Sequence, residues 1–204
     1  MPWTAAHKWD LAPKRVVILC SALFLFGLGD SLLITSGLGN APWSVLAQGI
    51  SKQLDISIGF ATLAVSALVL TLWIPLRERP GFGTFANILI VASAIDVGMH
   101  FFPTQEIIWI RFTYVVVGIA LVGMGTAFYL TCGLGPGPRD GWMTALHHRT
   151  GVRVGRVRLG IEVVVLTLGW FLGGTLGVGT ALFALFIGQS VAISLGVVSR
   201  ITPR

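Results

Sequence analysis

The feature that most constrains this chain is an internal repeat. Shifting the sequence by 96 positions, so that Gly37 falls on Gly133, brings its glycines and prolines into register without a gap. Repeats of this kind in a strongly apolar chain are typical of membrane folds built from duplicated units, among them many transporters. The matched positions include Gly27 with Gly123, Gly29 with Gly125, Gly39 with Gly135, Pro42 with Pro138, Gly59 with Gly155, and Gly83 with Gly179.

The composition indicates a membrane protein. The chain is 54% hydrophobic and only 11% charged, whereas an ordinary soluble domain is about 25% charged. A transmembrane helix needs about 20 apolar residues, so 204 residues leave room for roughly six such helices. We therefore expect an all-α polytopic protein with the lipid bilayer as its main surroundings.

Six apolar runs are separated by more polar stretches, three in each copy of the repeat. They predict six transmembrane helices, with an N-terminal tail over 1–14, a first repeat over 15–110 and a second repeat over 111–204. The runs cover residues 16–35, 58–76, 85–102, 108–130, 157–172 and 181–198.

The basic residues predict how these helices are oriented. With the N-terminus inside, all but two of the 14 Lys and Arg residues fall on the inner side, the exceptions being Lys52 and Arg111. Because Lys and Arg favour cytoplasmic loops, we expect both termini in the cytoplasm. Three spans per copy, an odd number, would invert the second unit relative to the first. The inner residues are Lys8, Lys14, Arg15, Arg77, Arg79, Arg139, Arg149, Arg153, Arg156, Arg158, Arg200 and Arg204.

Each copy contains a broken segment between its first and second spans. Glycines end the preceding helix, and a proline then suits the first turn of a new helix of about 12 residues, too short to cross a bilayer. Two interpretations stay open: an amphipathic helix on the membrane surface, or a half-helix whose N-terminus enters the protein at a central site. The residues that define the breaks are Gly37, Gly39 and Pro42, then Gly133, Gly135 and Pro138; Gly83 and Gly179 open the third spans.

Arg139 and Asp140 carry the strongest local chemistry, directly after Pro138. The charge of Asp140 complements the dipole at the start of a helix, but that of Arg139 does not. Arg139 therefore needs an acidic partner, for which Asp140, Asp30 and Glu162 are candidates, or an anionic ligand bound together with free backbone N–H groups. We predict a ligand site that contains Arg139, Asp140, Pro138, Ser44, Asn87 and Gln189.

Three acidic residues, Asp30, Asp96 and Glu162, lie in or near the apolar runs. Carboxylates there usually face the interior of a helix bundle and often mark a pathway. Glu162 follows Arg158 by four residues, so the two can pair on one helix face. Asp96 has no basic neighbour in its own helix and is the best isolated candidate for a proton or ligand site.

Several other functions lack the residues they need. Cys20 and Cys132 lie within apolar runs and indicate free buried thiols, and no Cys/His spacing predicts a metal site. The basic residues lie between apolar runs rather than on one face, which argues against nucleic acid as a partner. No hydrolase or metalloprotease motif is present, and we expect neither enzymatic activity nor a cofactor. Trp43 and other tryptophans near the span ends are typical of an interfacial belt.

Two segments resemble a known family. They read Gly-Leu-Gly-Pro-Gly-Pro-Arg-Asp-Gly-Trp-Met-Thr from Gly133, and Leu-Gly-Gly-Thr-Leu-Gly-Val-Gly-Thr from Leu172. On these motifs the chain is similar to the YczE-like bacterial membrane proteins of the wider YczE/YyaS/YitT group. The resemblance implies a multi-spanning inner-membrane protein. That family commonly has Pro-Trp-Asp in the first broken segment, where this chain has Ser44.

Two functional hypotheses remain. The first is a small permease in which two inverted units move about a midplane site, with Arg139 and Asp140 binding an unknown solute and Asp96 or Glu162 coupling protons. The second is an accessory or scaffold protein that supports a membrane-associated biosynthetic or secretion enzyme, which explains the missing enzyme motifs equally well. A homodimer or another membrane protein partner fits either hypothesis.

Overall fold

The computed structural model describes residues 3–201, and α-helix is the only regular secondary structure in that part of the chain. Arg204, the first two residues of the predicted tail and the last three of the second repeat lie outside the described residues. The helices are α1 (Pro13–Ser36), α2 (Pro42–Leu54), α3 (Ile58–Thr71), α4 (Trp73–Leu76), α5 (Phe82–Phe101), α6 (Ile108–Cys132), α7 (Pro138–Thr150), α8 (Val154–Phe171) and α9 (Val178–Ile201).

Five segments between residues 3 and 201 are helical, long and apolar enough to cross a membrane. They are α1, α3 with α4, α5, α6 and α9. The sixth predicted span, over 157–172, is also helical, because it lies almost entirely within α8. At 18 residues, α8 carries Arg156, Arg158 and Glu162, and this charge sets it apart from the other five.

The two broken segments form the short helices α2 and α7, each of 13 residues. Gly37 and Gly133 end the preceding long helices in the left-handed conformation, with φ of 63° and 69°. Pro42 and Pro138 are the first residues of the new helices. A missing N–H costs nothing there, because the first turn of a helix has no internal acceptors for it.

The centre of the molecule is the close packing of α1 on α6. A Cβ on Gly29 would come within 2.8 Å of the Gly118 carbonyl oxygen, and a Cβ on Gly125 within 2.6 Å of the Ala22 carbonyl oxygen. The residue number rises along one helix as it falls along the other, so α1 and α6 run antiparallel. Gly29 and Gly125 are repeat-equivalent, as are Ala22 and Gly118, and the two contacts are therefore the same contact made twice.

The two copies also hold each other through paired backbone hydrogen bonds. At the start of α5, the N–H of Gly83 donates to the carbonyl of Leu134 at 2.8 Å. At the start of α9, the N–H of Gly179 donates to the carbonyl of Leu38 at the same distance. The third long helix of each copy therefore begins on the glycine turn of the other copy, and these bonds satisfy backbone groups that a helix start leaves free.

Each short helix packs against the second helix of the opposite copy. α2 lies along α8, and α7 lies against α3 and α4. The indole N–H of Trp73 in α4 donates to the carbonyl of Pro138 at 3.0 Å and so fixes the start of α7. Gly169 in α8, the equivalent of Trp73, leaves room instead for the backbone of Leu46 in α2.

One matched pair of helices differs between the copies. α3 packs along α5, whereas their equivalents α8 and α9 hardly touch. A Cβ on Gly59 of α3 would come within 2.4 Å of the Ala92 carbonyl oxygen of α5. The equivalent positions hold Gly155 and Gly188, and a Cβ on either would meet nothing within 4 Å.

The segment before α1 lies against the ends of α5 and α6. The N–H of Ala5 donates to Cys132 at 2.8 Å, and that of Phe82 to Lys8 at 3.1 Å. The backbone N–H of Ala6, with further help from Arg15, holds the pKa of Asp10 below its usual value. Residues 5 and 8 of the predicted tail are thus hydrogen-bonded to the ends of α6 and α5.

Substituting Gly125 with Leu tests the packing of α1 on α6. The added side chain has to push α1 away, and overpacking of this kind costs about 1–3 kcal/mol. We expect a lower thermal unfolding temperature and a lower yield of monodisperse protein. Gly196→Leu on α9 is the matched control, since a Cβ there meets nothing within 4 Å; equal losses in both variants would contradict the packing argument.

Candidate functional site

A cavity of about 270 Å³ lies where the first turns of α2 and α7 approach one another. Its walls come from α1, α3, α5, α6, α8 and α9 as well as the two short helices, so both copies build it. The polar and aromatic residues that line it include Asp30, Trp43, Asn87, Tyr129, Arg139, Asp140, Arg158 and Glu162.

Arg139 and Trp43, the second residues of α7 and α2, meet across this cavity. The guanidinium carbon lies 5.0 Å from the centre of the indole ring, within the range of a cation–π interaction. The two residues are repeat-equivalent. Both short helices therefore direct their N-terminal turns at one central site, as the half-helix interpretation expects.

Arg139 is half-buried, yet it lacks the acidic partner that its position needs. Among residues 3–201, no carboxylate oxygen lies within 4.0 Å of its guanidinium, and the side chain donates no hydrogen bond to a described residue. Its five N–H donors are therefore left to the cavity. None of the three acidic partners that the sequence offered lies within ion-pair distance of Arg139 in the described part of the chain.

Asp30 is the most deeply buried charged group of the cavity, with 2% of the residue exposed. The Ser44 hydroxyl donates to its Oδ2 at 2.8 Å. Within residues 3–201, its other oxygen, Oδ1, has no hydrogen-bond partner, and neither has the buried indole N–H of Trp43. Buried polar atoms without partners are uncommon, and both residues line the same cavity as Arg139.

The other charged residues that line the cavity each have a hydrogen-bond partner. Asp140 accepts a hydrogen bond from the Tyr129 hydroxyl. Glu162 accepts one from Arg158 at 2.8 Å, the pair on one helix face that the sequence spacing allows. Asp30 and Arg139 are thus the charged residues of this site that keep unused hydrogen-bonding groups in the described part of the chain.

The other sequence candidates divide between the cavity and the outside. Asn87 lines the cavity, and Pro138 holds the start of α7 through its carbonyl. Gln189 is exposed on α9, in an apolar groove between α6 and α9 that is separate from the cavity. Asp96 accepts hydrogen bonds from the Ser57 hydroxyl at 2.7 Å and the Gly59 N–H at 2.8 Å. Asp96 therefore secures the start of α3 against α5 and does not line the cavity.

Trp43 and Tyr129 line the cavity but were not among the sequence candidates. The sequence predicts that Trp43 belongs to an interfacial belt, but the structure buries its side chain at the centre of the molecule. Its alignment with Arg139 in the repeat was the signal that could have placed it there. Tyr129 lies in an apolar stretch of α6 opposite Asp140, and nothing in the sequence spacing indicates that contact.

Comparison with known proteins identifies the family. A model of a "Family of unknown function (DUF6198)" matches residues 13–195. This chain belongs to that family. A Haemophilus influenzae protein is 40% identical over 98% of this chain and 91% of its own length, and is described as uncharacterized.

Two Bacillus subtilis proteins support the resemblance to YczE-like proteins. The uncharacterized membrane protein YczE is 29% identical over 86% of this chain and 82% of its own length, and the uncharacterized protein YyaS is 25% identical over 87% and 90%. The resemblance drawn from the two sequence motifs is thereby confirmed, and this DUF6198 protein is a multi-pass membrane protein. No solved structure matches the chain.

Ser44→Ala tests whether Asp30 depends on its one hydrogen bond. The substitution leaves a buried carboxylate without a donor, a change that costs about 1–3 kcal/mol. We expect a lower thermal unfolding temperature for Ser44→Ala than for the double variant Asp30→Leu, Ser44→Ala, because removing both polar partners avoids the unpaired group. A double variant less stable than Ser44→Ala alone would contradict this.

Proposed function

We propose that this DUF6198 protein is a small permease of the plasma membrane, in which two inverted three-helix units carry a solute with an anionic group through the central cavity. The antiparallel packing of α1 on α6 supports the inversion, as do the contacts that each copy makes twice. The free guanidinium of Arg139 supports the anionic group. The distribution of basic residues supports cytoplasmic termini.

The proposal requires α8 to cross the membrane as the sixth span. Two of its three charged residues, Arg158 and Glu162, line the cavity and bond to each other. Charged residues within a membrane are tolerated where they pair and face the protein interior. The charge of α8 is therefore compatible with a span that borders a polar pathway.

The observation that carries the proposal is the difference between α3–α5 and α8–α9. A permease exposes its site to one side at a time, and inverted units achieve this by exchanging conformations. Here the first unit holds α3 against α5, a closed arrangement, and the second unit holds α8 away from α9, an open arrangement. Gly155 and Gly188 supply the small residues that a close α8–α9 contact needs, in the positions where Gly59 and Ala92 already make that contact.

Asp96 has a different role in this scheme from the proton carrier that the sequence suggested. Its carboxylate joins α5 to the first turn of α3, and the equivalent residue in the open unit is Ala192. We assign Asp96 to holding the closed contact, which has to break when the units exchange conformations. Glu162, which lines the cavity, remains the candidate for proton coupling.

Disulfide trapping tests the exchange without knowledge of the solute. In a protein with Cys20→Ala and Cys132→Ala, we expect Gly155→Cys with Gly188→Cys to cross-link under oxidation, as mobility closes α8 onto α9. The pair Ser57→Cys with Asp96→Cys is the positive control, because those side chains already touch. The pair Gly160→Cys with Gly196→Cys reports non-specific cross-linking, because both glycines have free space around the Cβ position. A glycine pair that cross-links no better than this last pair would refute the exchange.

Loss of the Arg139 charge tests the solute path. In a deletion strain, we expect Arg139→Gln to resemble the empty vector, with a few compounds redistributed across the membrane in a metabolite comparison. Gly196→Ala, on the open face of α9, should behave as wild type at matched membrane levels. If Arg139→Gln behaves as wild type and substitutions on exposed helix faces abolish the phenotype, the accessory or scaffold role becomes the better explanation.

A further inference from the structure

The central cavity contains two opposite charges that do not neutralise each other directly. The Asp30 carboxylate and the Arg139 guanidinium both line it, but no ion pair within 4.0 Å joins them in the described part of the chain. Each has free hydrogen-bonding capacity: Oδ1 of Asp30 accepts nothing, and Arg139 donates to no described residue. Such groups are costly to bury unless something pairs with them.

We propose that the solute is a small zwitterion, a molecule with a protonated amine and an acid group, which bridges these two residues. This rests on the permease function proposed above and specifies its substrate class. The amine donates to Oδ1 of Asp30, and the carboxylate or phosphate accepts from Arg139. The unpartnered indole N–H of Trp43, whose ring the guanidinium covers, supplies a further donor for the acid group.

The unused hydrogen-bonding groups of Asp30 and Arg139 favour a zwitterion over a simple anion. The other lining charges are engaged, Asp140 with Tyr129 and Glu162 with Arg158. An anion on Arg139 would leave the Asp30 carboxylate unpaired in the same small space, and a cation on Asp30 would leave Arg139 unpaired. A molecule with both charges satisfies both residues and adds no net charge to the interior.

The size of the cavity limits the solute to a small molecule. Pockets for drug-sized ligands measure about 300–1,000 Å³, and this cavity of about 270 Å³ lies just below that range. Apolar side chains such as Phe26, Met143 and Phe183 form much of its remaining wall. They suit the short carbon chain between the two charged ends.

Ligand titration on the full chain in lipid nanodiscs tests the inference. The probes are glycine, β-alanine, γ-aminobutyrate and ε-aminohexanoate, which increase the distance between amine and carboxylate, with phosphoethanolamine as the phosphate counterpart. Butyrate and butylamine have the four-carbon chain of γ-aminobutyrate but only one charged group each. We expect at least one zwitterion to bind at least about tenfold more tightly than both singly charged probes, as expected from losing one hydrogen bond to a charged group.

Asp30→Asn keeps the shape of the side chain and removes its charge. We expect it to weaken zwitterion binding about tenfold or more while butyrate binding is unchanged or improved. Asp55→Asn is the matched control, because Asp55 is exposed and caps the C-terminal end of α2. Its left-handed backbone conformation is one that Asn tolerates. If Asp30→Asn does not fold, Arg139→Gln measured against the same probes gives the second test, with butylamine as the probe it should spare.

Two results would overturn the inference. Butyrate binding as tightly as every zwitterion, and more tightly at acid pH, would mean that a proton and not an amine neutralises Asp30. Failure of all zwitterions to bind would exclude the class outright. Either result leaves the permease proposal standing if Gly155→Cys and Gly188→Cys still cross-link, because that experiment uses no ligand.

Discussion

The close approach of α1 to α6 is the constraint on which the rest of the structure depends. Glycines at matched positions allow the two backbones to come together, and Gly37 and Gly133 then end the two long helices. The short helices start a few residues later, so their first turns can only converge on the space beside the α1–α6 contact. Trp43 meets Arg139 because Gly29 and Gly125 let the central helices pack without intervening side chains.

Much of this arrangement follows from the sequence. Repeat matching and helix-ending residues predict both breaks, with Pro42 and Pro138 starting new helices. The pairing of Glu162 with Arg158 follows from their spacing on one helix. The sequence could not show that Asp96 and Gln189 lie outside the cavity, because that requires knowing which way a helix faces. Nearly uniform apolarity removes the usual polar–apolar pattern from which a facing direction is read.

The two copies share a scaffold and differ in their chemistry. Ser44 occupies the position that Asp140 holds in the second copy, and it donates to Asp30, whereas Asp140 accepts from Tyr129. An acid at position 44 would bring two carboxylates together in a buried place, and one of them would have to keep its proton. The serine leaves Asp30 without a second carboxylate as its hydrogen-bond partner, in a cavity that also contains Arg139.

The exchange of backbone hydrogen bonds between the copies has a consequence for how the chain is made. The carbonyl of Leu38 accepts a hydrogen bond from the N–H of Gly179, a residue that is synthesised about 140 residues later. Until then the first three-helix unit sits in the bilayer with its glycine turn unsatisfied and its short helix without α8 to lie on. The first copy can therefore complete its backbone hydrogen bonds and its helix packing only after most of the second copy has been synthesised.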